Sequence, residues 1–249
     1  TLNTLNSVDT INGGKGIDTL KITDSLGTAI SLPTLTSVEV IEVTGVDTTT
    51  IIDTTTTTGV TDLNIVKATD AKATAGSETN VNVSGVTTGN IAVVGGNNVT
   101  VTDTATNKDT AVGTIDIGTG TSATGNVKVT QNLNSDGTSA LTGGAITVTG
   151  GKTVDVTVNA KSTAKAFDSN SGITTGAITV TADNKTKDVT VTQNDVVTTV
   201  TKPAVDFIGG KTTVTFNSMK DGETLIFNGL TFTAAKDLTA AEVAKAFAN

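Results

Sequence analysis

The sequence predicts an all-β protein: an irregular parallel β-solenoid, with a β-sandwich of hairpins as the alternative, ending in a small C-terminal β-hairpin-plus-helix module. Three observations lead there. Thr makes up close to a quarter of the 249 residues, Val stands beside it, and Gly, Asn and Asp are plentiful. Thr and Val are β-branched and favour strands, whereas the other three favour turns. A strand–turn–strand phrase recurs through the middle of the chain. Five of the six Phe fall from residue 207 onward, so the last piece has an aromatic core of its own. The chain accordingly divides into a turn region over 1–27, a Thr/Val-rich body over 28–202 and a Phe-containing ββα module over 203–249.

Composition excludes several classes of function. There is no Cys, His, Trp or Tyr, and all 16 basic residues are lysines. A net charge of −8 leaves no basic stripe to neutralise phosphates, so no nucleic-acid partner is expected. Without Cys there is neither a disulfide framework nor thiol chemistry. No apolar run approaches the roughly 18 residues needed to span a bilayer, so no membrane insertion is expected. The first residue is Thr in mid-pattern with no signal peptide before it, which reads as a segment or processed product of something larger.

The first element is a turn. Gly13-Gly-Lys-Gly-Ile-Asp-Thr-Leu-Lys21 fits G-G-x-G-x-D-x-U-x, where U is a large apolar residue. The glycines permit a tight turn that leaves carbonyls facing inward, Asp18 adds a hard anionic oxygen, and Leu20 starts a short strand over Thr19–Thr23. Stacked turns of this kind form a parallel β-roll with Ca²⁺ between them. The nine residues before it keep half the pattern, with Asp9 and Ile11 aligned to Asp18 and Leu20 but no glycines. An ordinary Gly-rich loop entering a strand is the plainer reading.

The run Asp9-Thr-Ile-Asn-Gly-Gly-Lys-Gly-Ile-Asp-Thr-Leu-Lys21 resembles the nonapeptide repeats of RTX proteins, which leave Gram-negative bacteria by type I secretion. Leu32-Pro-Thr-Leu-Thr-Ser-Val-Glu-Val-Ile-Glu-Val-Thr-Gly45 and Gly59-Val-Thr-Asp-Leu-Asn-Ile65 are similar to the surface-layer and adhesin branch of that group. The resemblance covers about the first 65 residues; beyond them it is one of composition. It implies a secreted, Ca²⁺-dependent structural protein and favours the solenoid. Carried over position by position, it implies Ca²⁺ ligands from the side chains of Asp18 and Asp9 and the carbonyls of Gly13, Lys15 and Gly16.

Short strands follow at Ala29–Leu32, Val38–Val43 and Asp62–Val66. The second carries apolar residues on both faces and is expected to be covered on both sides. Between them, Asp47 to Thr58 is a low-complexity Thr run, read as a solvated loop or an edge strand, with an O-glycosylated surface as the functional alternative. The recurring phrase appears as Gly89–Thr102, Gly144–Val158 and Gly176–Thr192, with shorter relatives at Thr114–Ile117 and Gly125–Thr130. In each, Val and Ile occupy one face and Thr, Asp and Lys the other, about a turn of Gly, Asn or Lys. Strand starts 8 to 24 residues apart suit a solenoid only if loops are inserted at its corners.

After Pro203 the pattern predicts strands over Lys211–Asn217, Glu223–Asn228 and Leu230–Ala234, with a turn at Lys220-Asp-Gly and a type I′ signal at Asn228-Gly229. A helix follows. Thr239-Ala-Ala-Glu242 is a capping box, Leu238 with Val243 makes a hydrophobic staple, and Val243 and Phe247 share a face. About 45 residues are too few for much independent stability, so this module is expected to dock on the body or on a neighbour.

Other constellations are weaker. Asn132 to Gly137 imitates the front of an EF-hand loop, but Gly143 stands where a bidentate Glu is required. Asp183-Asn184, and Asp103 with Asp109, could add cation sites at loop corners, with no specific spacing. There is no His or Cys base or nucleophile, no Gly-x-Ser-x-Gly and no zinc ligand set. A paired-carboxylate glycosidase would lack aromatic platforms, because the first 166 residues contain none, and the chain reads as no enzyme. A Thr array of the kind that orders ice is broken by Lys and Asp.

The expected function is therefore structural: an extracellular or cell-surface component of a bacterial surface layer, folding and self-assembling with Ca²⁺. The alternative is a stalk segment of a large secreted RTX adhesin or biofilm matrix protein. The expected partners are further copies of the chain, in a lattice or filament, and a cell-surface polysaccharide.

Overall fold

The computed structural model describes residues 5–86, 89–106, 112–136, 140–164, 172–199, 218–227 and 230–246. The first strands are β1 (Thr10–Asn12), β2 (Thr19–Asp24), β3 (Thr34–Thr36), β4 (Val40–Gly45), β5 (Thr49–Asp53), β6 (Asp62–Lys67), β7 (Asp70–Ala75), β8 (Asn80–Ser84) and β9 (Ile91–Gly95). Then come β10 (Val99–Thr106), β11 (Ile115–Ile117), β12 (Val127–Ser135), β13 (Leu141–Thr142), β14 (Ile146–Thr149), β15 (Thr153–Ala164), β16 (Ile173–Thr174), β17 (Ile178–Thr181) and β18 (Asp188–Thr199). A hairpin, β19 (Thr224–Phe227) and β20 (Leu230–Thr233), and helix α1 (Ala240–Ala246) end the chain.

The body is a parallel β-solenoid. Eight strands stack in the order β2, β4, β6, β8, β10, β12, β15, β18, and six in the order β5, β7, β9, β11, β14, β17. The chain alternates between these two sheets, so each rung contributes one strand to each along most of the length. Short parallel pairs, β1 with β3 and β13 with β16, add a third side near either end. Among the described residues, antiparallel pairing occurs only between β19 and β20 and at the Met219–Leu238 bridge. A sandwich of hairpins is thereby excluded for the body.

The registers turn sequence alternation into columns. Leu20, Ile41, Leu63, Val81, Val99, Val127, Val154 and Val189 stack one above another across the eight-stranded sheet. Ala71, Ile91, Ile115, Ile146 and Ile178 do the same in the six-stranded one. Both columns face inward, and all but Leu20 at the open edge are buried. Adjacent strands lie about 4.8 Å apart, so like side chains pack at van der Waals distance along the whole axis.

Each recurring phrase is a corner. Ile91–Gly95 lies in one sheet and Val99–Thr106 in the other, and Gly95, which ends the first strand, and Gly96, which follows it, hold φ of 74° and 89°. Gly150 and Gly151 repeat this two rungs on, with φ of 70° and 97°. Rung lengths explain the irregular spacing. Stacked partners are 18 residues apart at Asn64–Asn82, 28 at Asp103–Gln131, 27 at Asn132–Asn159 and 35 at Asn159–Asn194. The extra residues enter between strands and leave the columns intact.

Several expectations are refined. The strand expected at Ala29–Leu32 is a single bridge from Ala29 to Ile51. The Thr run contains β5, the edge of the six-stranded sheet, and Thr50 and Thr54 are buried within it. β4 begins at Val40; Ile41 and Val43 are buried, whereas Val40 and Glu42 on its outer face stay half-exposed, so the strand is covered on one side only. The strand expected over 211–217, the Asn228-Gly229 turn and Phe247 lie outside the described residues.

The terminal module docks on the body: β19 packs against β18, and Met219, Leu225, Ala234 and Val243 belong to the same apolar cluster as the solenoid columns. Its helix starts as the capping box predicts. Glu242 N–H donates to Thr239 Oγ1 at 3.4 Å, and Thr239 N–H donates to Glu242 Oε2 at 2.8 Å. Val243 is fully buried, and Leu238 packs partly buried against the same cluster.

Candidate metal site

The glycine turn lies between β1 and β2 in the first rung. Gly14 and Gly16 have φ of 94° and 115°, which is the left-handed backbone that the pattern requires. Gly14 N–H donates to Asn12 Oδ1 at 3.0 Å and Gly13 N–H to the Thr36 carbonyl at 3.0 Å, so the turn is tied to itself and to the second rung.

Asp18 closes the turn. Its carbonyl accepts from Glu39 N–H at 3.2 Å and Val40 N–H at 3.1 Å. Its own N–H donates to Glu39 Oε2 at 2.9 Å. Its Oδ2 is buried and has no hydrogen-bond partner. Gly13 lies directly beneath it: a side-chain carbon there would lie 2.5 Å from Asp18 Cβ and 2.7 Å from Cγ, and would collide with the Ser37 carbonyl oxygen. Only glycine admits this approach. Ser37 itself is left-handed, at φ 50°. Two carboxylates, Asp18 and Glu39, and the Ser37 carbonyl thus converge on the corner between rungs one and two.

Of the five expected ligands, the structure brings Gly13 and Asp18 together. Lys15 and Gly16 are at the exposed tip of the turn. Asp9 is engaged elsewhere: its Oδ2 accepts from Asn6 N–H at 2.9 Å and its carbonyl from Thr34 N–H at 2.9 Å. Glu39 and Ser37 were not among the expected residues. The signal for Glu39 was available, because Glu39-Val-Ile-Glu-Val43 aligns with Asp18-Thr-Leu-Lys-Ile22, an acid entering an alternating strand.

The donor set is all oxygen, mixing carboxylate and carbonyl, which suits a hard cation such as Ca²⁺ and not a transition metal. No group of three or more His, Cys, Asp or Glu able to hold a metal exists among the described residues, so carbonyls and water would complete six to eight ligands.

The other sequence candidates are spent on structure. Asn132 and Asn134 lie on β12, and Asn132 donates to Thr104 Oγ1 at 3.3 Å and accepts from Asn159 Nδ2 at 2.9 Å, so no EF-hand loop forms there. Asp183 Oδ1 caps its own turn, accepting from Lys185 and Thr186 N–H at 2.8 and 3.1 Å. Asp103 is in β10, buried, taking a bond from Gln131 Nε2 at 3.3 Å, and is not at a loop corner; Asp109 lies outside the described residues. No described helix is long and apolar enough to cross a membrane. No protein-family model and no curated protein matches the chain.

Proposed function

We propose that this chain is a structural segment of a secreted, RTX-like bacterial surface layer, ordered by Ca²⁺ and built to associate with copies of itself. The observation that carries the reading is the Asp18 carboxylate, with a buried oxygen that has no partner, set against Glu39 and the Ser37 carbonyl at the end of a stiff parallel rod. Without a cation, the two carboxylates repel across the first corner and loosen rung one. Millimolar Ca²⁺ outside a cell binds the folded corner and not the unfolded chain, and so stabilises the folded state by mass action. Ile17, 81% exposed in the glycine turn, and Val8, 85% exposed ahead of β1, give the first rung apolar surface for a neighbouring copy.

A stalk segment of a secreted adhesin is the second reading. It is favoured by the packing of β19 on β18, which covers one open end of the eight-stranded sheet and blunts end-to-end strand pairing there.

Static light scattering and circular dichroism, recorded together while Ca²⁺ is titrated into EDTA-treated protein, separate the two. A rise in β-signal and in particle size supports the layer. A rise in β-signal at constant size supports the stalk. No change in either overturns the calcium mechanism.

A further inference from the structure

β2 carries a second carboxylate with an unmatched buried oxygen, at its opposite end from the glycine turn. Asp24 points inward, on the same strand face as Leu20 and Ile22, and is 6% exposed. Its Oδ1 accepts from Leu26 N–H at 3.0 Å and its carbonyl from Val46 N–H at 2.7 Å. Its Oδ2 is buried without a partner.

The residue stacked on Asp24 is Gly45, which has no side chain to fill the inward position. The first carbon of a side chain on Gly45 would lie 2.6 Å from Thr50 Oγ1 and 3.2 Å from the Lys67 carbonyl oxygen. Thr50 is fully buried, and its hydroxyl is also without a partner. The unfilled side-chain position of Gly45, on which Asp24 of the first rung stacks, thus lies against an oxygen from each of the next two rungs, Thr50 Oγ1 and the Lys67 carbonyl. Leaving a carboxylate oxygen and a hydroxyl both unmatched in a core is unfavourable, because each has given up its water without gaining a partner. A direct bond between them would remove the cost, and the structure does not form one.

The geometry points to an internal Ca²⁺ site at this corner, held by the Asp24 carboxylate, the Thr50 hydroxyl and the Lys67 carbonyl, with water completing the shell. Carboxylate, hydroxyl and carbonyl are hard donors, and the missing side chain of Gly45 is what leaves them room to converge. Asp24 is six positions along an extended strand from Asp18, about 20 Å at 3.3 Å per residue, so this site is separate from the glycine turn. Its ion would tie the first three rungs together from inside.

Calorimetric titration of Ca²⁺ into the metal-stripped full chain tests it, comparing wild type with Asp24→Asn, Thr50→Val and Asp18→Asn. The expected result is that Asp24→Asn removes one equivalent of Ca²⁺, Thr50→Val weakens that same step at least tenfold, and Asp18→Asn leaves it in place. Thr50→Val is close to isosteric and carries the test if Asp24→Asn does not fold. Loss of an equivalent in Asp18→Asn alone would leave the glycine-turn reading standing and remove this one. Loss in Asp24→Asn alone does the reverse. The inference is also overturned if Thr50→Val binds like wild type and melts higher in both EDTA and Ca²⁺, since that is how a dry, unsatisfied corner behaves.

Discussion

The backbone N–H of Asp18 donates to Glu39 Oε2 at 2.9 Å across the first two rungs, and the Asp18 carbonyl accepts from Glu39 N–H at 3.2 Å. Each residue thus holds the other's backbone, and each brings a carboxylate to the corner. In the proposed site a cation offsets the repulsion between those two charges. Replacing Glu39 with Gln keeps an acceptor oxygen and removes one charge. The expected outcome is that EDTA-treated Glu39→Gln melts at or slightly above wild type. Its Ca²⁺ affinity falls about tenfold, roughly 1.4 kcal/mol. Thermal melts in EDTA and in graded Ca²⁺ read both effects, and a variant whose Ca²⁺ response equals wild type removes Glu39 from the site.

A column of glycines fixes how closely the rungs approach at another corner. A methyl group on Gly113 would run into the Gly89 carbonyl oxygen, one on Gly144 into that of Gly113, and one on Gly176 into that of Gly144. The obstacle is backbone each time, so nothing flexible can give way. Gly144→Ala is expected to destabilise by about 2–3 kcal/mol, the upper part of the usual range for overpacking. Gly76→Ala, with open space around it and no left-handed φ, is expected to be neutral or stabilising by up to about 1 kcal/mol. Urea unfolding of the pair checks the contrast; equal midpoints would mean that the corner relaxes.

The outer face of the eight-stranded sheet carries an amide ladder. Asn159 Nδ2 donates to Asn132 Oδ1 at 2.9 Å, and Asn194 Nδ2 donates to Asn159 Oδ1 at 2.9 Å. Asn159 is half-buried, so its two bonds are partly shielded from water. Asn159→Ala is expected to cost about 1–2 kcal/mol for two neutral hydrogen bonds. By contrast, Asn82→Ala, which breaks the single bond from its Nδ2 to Asn64 Oδ1 at 2.9 Å, is expected to cost about half as much. Equal losses would mean that the second of the two Asn159 bonds contributes nothing measurable.

These residues also mark how far the sequence can be read. The Val and Ile columns were legible because strand alternation assigns a face to each residue without reference to any other residue. The corners were not distinguishable from hairpins. Gly95-Gly96 with both φ positive suits a type I′ turn as well as a solenoid corner, and only the pairing of β9 with β7 and β11 decides between them. Asp18 was legible from its local motif. Glu39 acts on a residue 21 positions away, and Asp24 reads locally as the start of an Asp-Ser-Leu-Gly turn. Its inward stacking over Gly45 exists only once the register is set.

The terminal module carries its own dependence on pH. Glu242 Oε2 accepts from Thr239 N–H and from Thr239 Oγ1, both at 2.8 Å. The backbone N–H first, and then the hydroxyl, favour the charged form and hold its carboxyl below the usual carboxylate range. A depressed folded-state pKa means that the contribution is fully present above the unfolded value and is lost as pH falls through the folded one. Asp237, lowered by its 2.7 Å bond to Lys220 and then by Asp221 N–H, loses its contribution in the same direction. Acidification is therefore expected to loosen the capping box and the Lys220–Asp237 tie before the solenoid columns, which contain no titratable group. Hydrogen exchange as a function of pH reads this directly. Amides of α1 should lose protection below the ordinary carboxylate range while those of β12 and β15 keep theirs, and Glu242→Gln should flatten the α1 profile. Simultaneous loss of protection in α1 and β15 would show that the module and the rod unfold as one unit.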